Sequence, residues 1–204
     1  MLDPMSLRPR TLLLARHGET AWNHEARWQG HTDIALNDRG RAQAAAMAEQ
    51  LRPYGVGHVF TSDLSRAKET GAIVANLLGV ATVTVDPRLR ERGFGAFEGL
   101  TRDECVERFP EIWAAYQADR KVMPPGSEPH DDIIERLEAG MKSAIAATKS
   151  GASTLVVGHG GALRVYLGAT FNRAFAPIAN GAILRATIVD DRLHEIEELE
   201  VLAE

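Results

Sequence analysis

Apolar residues in this chain come in short unbroken runs, separated by longer stretches in which they recur every three or four positions. The runs Leu12-Leu13-Leu14-Ala15, 56–61, 81–85 and Thr154-Leu155-Val156-Val157 have the length and aliphatic content of buried strands. Between them the period changes. Asn37 or Asp38 caps an alanine-rich helix reaching about Leu51, and Ser62-Asp63 supply the turn and cap for a helix over Ser65–Leu78, which Gly79 stops. A glycine-punctuated loop occupies residues 91–99, followed by one helical segment over 102–118, a Pro124-Pro125-Gly126 break and a helix over 131–149. Strand 153–157 leads through a glycine loop into another helix, and 182–189 with 192–199 predict closing strands. Strands alternating with helices predict an α/β fold, a three-layer α/β/α sandwich around a largely parallel, mixed sheet.

Two of the runs end alike. Arg16-His17-Gly18-Glu19-Thr20 follows the first, and Gly158-His159-Gly160-Gly161 follows 154–157. Ligand crevices in open α/β sheets lie beyond the carboxyl ends of the strands, so parallel neighbours would turn both imidazoles to one crevice. Ser62 to Arg66 and Glu91 are expected beyond the ends of two more strands. Phosphoryl transfer to a side chain needs an unprotonated nucleophile, cations around the phosphoryl oxygens and an acid beside the leaving oxygen. Arg16 and Arg66 disfavour a proton on His17, and the helix that Arg66 begins and the one after Gly160-Gly161 offer positive dipole ends and free N–H groups to an anion. Glycines 158, 160 and 161 permit close backbone approach, although a tight turn alone would also use them.

Length and charge narrow the classes. At 204 residues the expectation is one domain spanning 1–204, with residues 1–9 a flexible extension. A net charge of −5 without a basic tract argues against nucleic acid or an anionic membrane as partner. Nineteen arginines stand against four lysines, at 68, 121, 142 and 149; guanidinium suits bidentate anion contacts, but codon usage covers most of that excess. The single cysteine, Cys105, excludes an internal disulfide, the first ten residues lack a signal-peptide core, and no run has transmembrane length. A soluble cytoplasmic protein is the expectation. No Gly-x-Ser-x-Gly elbow, dinucleotide-type glycine motif, P-loop or His-Glu-x-x-His helix occurs, which removes α/β-hydrolase, dinucleotide-binding, P-loop and zinc-peptidase chemistry.

In order along nearly the whole chain stand Arg16-His17-Gly18-Glu19-Thr20 with Trp22-Asn23, Gln29-Gly30, Thr32-Asp33, Leu36 and Gly40, Thr61 to Ala67 with Glu69-Thr70, Leu89-Arg90-Glu91, Gly95 to Gly99, Pro125-Gly126 and Gly158-His159-Gly160. This set resembles the histidine phosphatase superfamily, also called the phosphoglycerate mutase-like family. The resemblance implies that fold and a phosphohistidine mechanism with no metal or other cofactor. It implies that His17 attacks phosphorus, that Arg16, Arg66 and His159 hold its oxygens, and that Glu91 serves as acid and then base. Asn23 and Gly160 resemble further phosphate donors, and Gln29 and Gly30 substrate contacts. Glu98 is expected to organise its loop. Ser127 stands where the phosphatase branch often carries a second glycine before Glu128, and Asn180 reads either as the family's late asparagine or as a turn residue.

Dedicated mutases of the family are longer between the acid and the second histidine, with paired arginines and an Asn-Lys that this chain lacks. Thr101-Arg102-Asp103 follows Gly99-Leu100 here, and the adjacent basic pair in the segment is Arg120-Lys121. The aromatics Phe94, Phe97, Phe109, Trp113 and Tyr116 resemble those of the compact phosphatases, Trp113 and Tyr116 reading better as core. The expected activity is phosphomonoester hydrolysis on small metabolites. A 2,3-bisphosphoglycerate-dependent mutase and a non-catalytic phosphate-binding or interaction module are the alternatives, and the oligomeric state, with a homodimer among its forms, is open.

Overall fold

In the computed structural model the described residues are 10–119, 122 and 124–199. The expected extension 1–9 and the Arg120-Lys121 pair lie outside the described residues. The order is β1 (Arg10–Arg16), α1 (Ala21–His24), α2 (Asp38–Leu51), β2 (Val56–Thr61), α3 (Ser65–Leu78), β3 (Val83–Val85), α4 (Arg102–Arg108), α5 (Pro110–Ala118), α6 (His130–Ala147), β4 (Ser153–Gly158), α7 (Gly160–Phe171), β5 (Ile183–Val189) and β6 (Arg192–Glu198). The strands form one six-stranded sheet in the order β3-β2-β4-β1-β5-β6. β3, β2, β4 and β1 run parallel, and β5 and β6 add antiparallel to β1.

Why these runs become central strands follows from side-chain alternation. Leu12 and Leu14 point to one face, where with Val156 they pack among Leu137 and Met141 of α6 and Leu163 and Leu167 of α7. Leu13 and Ala15 point to the other, where with Leu155 and Val157 they meet Met47 and Ala48 of α2 and Ala67 and Val74 of α3. A run buried on both faces needs no polar member, hence its continuous apolarity. A third cluster lies apart from the sheet, with Phe94, Phe97, Leu100, Cys105, Trp113 and Tyr116 buried against the half-buried Trp28. Trp113 and Tyr116 are core there, and burial pushes the Cys105 thiol up to about 11, which makes it a packing residue.

Three boundaries differ from expectation. The segment 102–118 is two helices, because Pro110 disfavours helical backbone at Phe109, which sits at φ −137° and ψ 54°. β3 starts at Val83, where its pairing with Val59 begins; as an edge strand it is held on one side only. Ser62 and Asp63 do not cap α3. Asp33 does so from a distant loop, its carboxylate accepting from Ser65 N and Ser65 Oγ, each at 2.7 Å. Asp63 instead accepts from Arg90 Nε and Nη2, at 2.7 and 2.5 Å.

The loop after β1 is pressed against the start of α2, which Asn37 caps through Gly40 N at 2.8 Å. A Cβ on Gly18 would stand 2.3 Å from Gly40 O, and one on Gly40 would stand 2.1 Å from Glu19 O. Both atoms are backbone and cannot swing aside. Gly40→Ala is therefore expected to cost about 2 kcal/mol or more, as overpacking does, and to lower Tm by roughly 4–8 °C for a chain of this size. Urea and thermal unfolding of the variant measure this, and unchanged stability would show that the two segments are free to separate.

Candidate active site

The site starts from strand register. Arg16 of β1 pairs with Gly158 of β4, so the next residues, His17 and His159, leave the sheet side by side. His17 N donates to Gly158 O at 3.0 Å, and the two imidazole centroids are 5.1 Å apart. His17 Nδ1 lies 2.6 Å from Gly18 O. A carbonyl only accepts, so Nδ1 carries the proton and Nε2 keeps its lone pair. Burial, then the Arg66 and Arg16 guanidiniums, hold His17 well below the ordinary histidine range, against the pull of the Gly18 hydrogen bond. Burial, Arg66, His17 and Arg16 do the same to His159.

Two guanidiniums flank the pair. Arg66, fully buried on the first turn of α3, donates through Nη1 to Thr32 O at 2.9 Å and through Nη2 to Gly30 O at 2.8 Å. These bonds draw the 29–32 loop over the site. Arg16 donates through Nη1 to Ile178 O at 2.8 Å. Burial lowers both arginines from their ordinary value, and they remain cations. Asn23 turns Oδ1 to Thr20 N, Thr20 Oγ1 and Asn180 Nδ2, at 3.2, 3.1 and 3.2 Å, which leaves its NH2 end for a ligand. Asn180 Nδ2 also reaches His17 O at 3.1 Å, so it ties the histidine loop to α1 and is more than a turn residue.

Glu91 enters after a 3-10 turn, Pro87–Leu89, rather than directly from the end of β3. Its carboxylate accepts from Arg92 N at 2.9 Å, Gly161 N at 3.0 Å and Ala162 N at 2.6 Å. The amino end of α7, expected to offer free N–H groups, therefore gives two of them to Glu91. Gly161 makes this approach feasible, since a Cβ there would lie 2.7 Å from Glu91 Oε1. Glu98 organises its loop as expected, accepting from His31 N, Thr32 N, Thr32 Oγ1 and Phe94 N.

A cavity of about 1240 Å³ opens over these groups. Its wall includes Arg16, His17, Asn23, Gln29, Gly30, Arg66, Glu91 and Gly160, while His159 is fully buried beside His17. Among the described residues, Arg16 Nε, Arg66 Nε, Gln29 Oε1 and both ring nitrogens of His159 are buried without a hydrogen-bond partner.

The sequence profile of the histidine phosphatase superfamily (branch 1) matches residues 12–197. The chain belongs to this superfamily. Among curated relatives, a phosphoglycerate mutase-like protein 4 of Arabidopsis thaliana is 39% identical over 156 residues, 75% of this chain and 67% of the relative. A metal-independent phosphoserine phosphatase of the same plant is 36% identical over 180 residues, 84% of this chain and 74% of the relative. Mycobacterial relatives at 40% identity are longer, and the chain spans 41% of their length. The solved structure of a mycobacterial glucosyl-3-phosphoglycerate phosphatase with VO3 superposes with a TM-score of 0.81 at 26% identity, covering 93% of this chain and 97% of that one. This histidine phosphatase superfamily member is thus a phosphatase- or mutase-type enzyme. No helix among its described residues is long and apolar enough to cross a membrane.

Two buried neutral imidazoles link stability to pH. Above pH ~6.5 both rings are neutral folded and unfolded and contribute no pH dependence; below it the unfolded chain binds protons that the folded one excludes. Stability should fall on acidification from pH ~6.5, with a slope of up to about 1.4 kcal/mol per pH unit for each ring. Urea unfolding between pH 7.5 and 5 checks it. His159→Asn should remove its share of the slope, and an unchanged slope would mean that His159 takes up a proton as readily folded as unfolded.

Proposed function

We propose that this chain is a metal-independent phosphomonoester hydrolase acting through a phosphohistidine at His17 on small phosphorylated metabolites. The observation that carries this is the set of buried donors with nothing to donate to, Arg16 Nε, Arg66 Nε and His159, around an imidazole whose Nε2 is held deprotonated. Buried polar groups are ordinarily satisfied, and a tetrahedral phosphoryl group supplies the acceptors that these lack.

In the first half-reaction His17 Nε2 attacks phosphorus and the P–O bond to the organic group breaks. Arg16, Arg66, one N–H of His159, the Asn23 amide and the Gly160 backbone take the phosphoryl oxygens, and Glu91 passes a proton to the departing oxygen. In the second, Glu91 takes a proton from water as its oxygen bonds to phosphorus, the N–P bond breaks, and phosphate leaves. Gln29 and Gly30, also on the cavity wall, are the substrate contacts of this reading. The cavity is much larger than a phosphoryl group, and Trp28, Phe94, Tyr116, Arg27 and Arg164 on its wall suit an organic moiety with polar substituents.

Hydrolysis is favoured over transfer by the relatives named as phosphatases and by the short segment between Glu91 and His159, which offers little material to close over a phosphohistidine and exclude water. The mutase-like relative motivates the direct comparison. Turnover of 3-phosphoglycerate as a mutase, primed with 2,3-bisphosphoglycerate, should be at least ~100-fold slower than the best hydrolysis, about 2.7 kcal/mol in barrier. Primed transfer faster than every hydrolytic rate would reverse the assignment.

His17→Ala should abolish p-nitrophenyl phosphate turnover and any acid-labile phosphoenzyme, while the wild-type chain keeps full activity in EDTA, because arginines supply the charge. A wild-type chain without turnover on any ester of a broad panel would be a binding module. Activity lost to chelation and restored by a divalent ion would remove the metal-free mechanism.

A further inference from the structure

The segment that delivers Glu91 is held from below by a residue that no motif singled out. Arg136, on α6, makes five hydrogen bonds, as many as a guanidinium has N–H groups. Nη1 donates to Arg88 O at 2.9 Å and Arg90 O at 2.7 Å, and Nη2 donates to Glu91 O at 2.9 Å. Nε and Nη2 donate to the two carboxylate oxygens of Glu128, at 2.5 and 2.7 Å. Glu128 in turn holds the loop two residues past Glu91, accepting from Gly93 N at 3.3 Å. His31 Nε2 is a second partner of Glu91 O, at 2.7 Å.

We propose that Arg136, oriented by Glu128, is the positioning residue for Glu91: its planar fork fixes the 88–91 backbone, so that the carboxylate meets the leaving oxygen and the α7 N–H groups in one geometry. This rests on the assignment of Glu91 as proton donor. The fork spans three carbonyls and a carboxylate at once, which the compact ammonium of a lysine cannot do. Arg136 itself is absent from the cavity wall and reaches the anion site only through its charge, the smallest of the influences on His159.

The test compares kcat/KM for an ester with a good leaving group, p-nitrophenyl phosphate, and one with a poor one, β-glycerophosphate, since kcat/KM reports the step that expels the alcohol. Arg136→Gln should lower kcat/KM for β-glycerophosphate by about 30- to 100-fold, the size of effect that misplacing a catalytic group by about 1 Å produces, and that for p-nitrophenyl phosphate by no more than about threefold. The inhibition constant of orthovanadate should move by less than about threefold. Arg136→Lys should behave like the glutamine variant, and Glu128→Gln should show a smaller split in the same direction. In a Glu91→Gln background, Arg136→Gln should add almost nothing for the poor leaving group.

Equal losses on both esters, no loss, or a loss that multiplies that of Glu91→Gln would make Arg136 merely structural and overturn the proposal. Were Arg136→Gln not to fold, Arg136→Lys and Glu128→Gln make the same comparison, and equal losses in them overturn it too. If Glu91→Gln alone gives no leaving-group dependence, the acid assignment fails instead, a different outcome from a split in Glu91→Gln without one in Arg136→Gln.

Discussion

The structure depends on the in-register parallel pairing of β1 with β4. Six consecutive residue pairs, from Thr11 with Ser153 to Arg16 with Gly158, bring two histidines out of the sheet at the same height. A slip of one residue would turn Leu12 and Leu14 to the face now filled by Leu13 and Ala15, and would move one imidazole away from the other. Core packing and site geometry are thus one constraint. The apolar runs that make the strands central also fix where the chemistry-bearing side chains emerge.

Electrostatics follows from that placement. Two imidazoles and the Arg66 guanidinium are buried together, with the half-buried Arg16 beside them and Glu91 as a nearby carboxylate. The cost of this assembly falls on the rings, which lose their protons, because an arginine does not give one up. Lysines in place of Arg16 and Arg66 could deprotonate instead, and the pressure on His17 would ease. The positive charge is held outward by carbonyls, Ile178 O for Arg16 and Gly30 O and Thr32 O for Arg66, so neither cation is neutralised by a carboxylate hydrogen bond. Glu91 acts on both guanidiniums, and Asp33 and Glu98 on Arg66, through space only, so their N–H groups stay available to an anion entering the cavity.

Much of the architecture was legible because its causes are local. Aliphatic runs, Asn37 as a cap, Gly79 as a stop and the order of the motifs place the sheet, the long helices and the two histidine loops. What escaped depends on partners distant in sequence. Asp33 caps α3 from 32 residues away, Glu91 occupies the α7 N–H groups from 70 away, and Asn180 reaches back to His17. None of these leaves a periodic signal. The break at Pro110 was different, since proline after a phenylalanine within a helical stretch is itself the signal that the helix ends there.

Taking the α7 N–H groups for Glu91 changes how the anion site works. A helix amino end usually favours a phosphate directly. Here Gly161 N and Ala162 N point a carboxylate, and the groups proposed to meet phosphoryl oxygens are side chains of β1, α1, α3 and the β4–α7 turn with the Gly160 backbone. The direction of the carboxylate is then fixed by α7 at its oxygens and by α6 at its backbone, two helices that pack on the same face of the sheet. The acid is as rigid as the core between those helices. Shifts of α6 against α7 would disturb Glu91 before they reached His17, which hangs from the sheet itself, so the proposed proton transfer is the part of this site most exposed to changes in core packing.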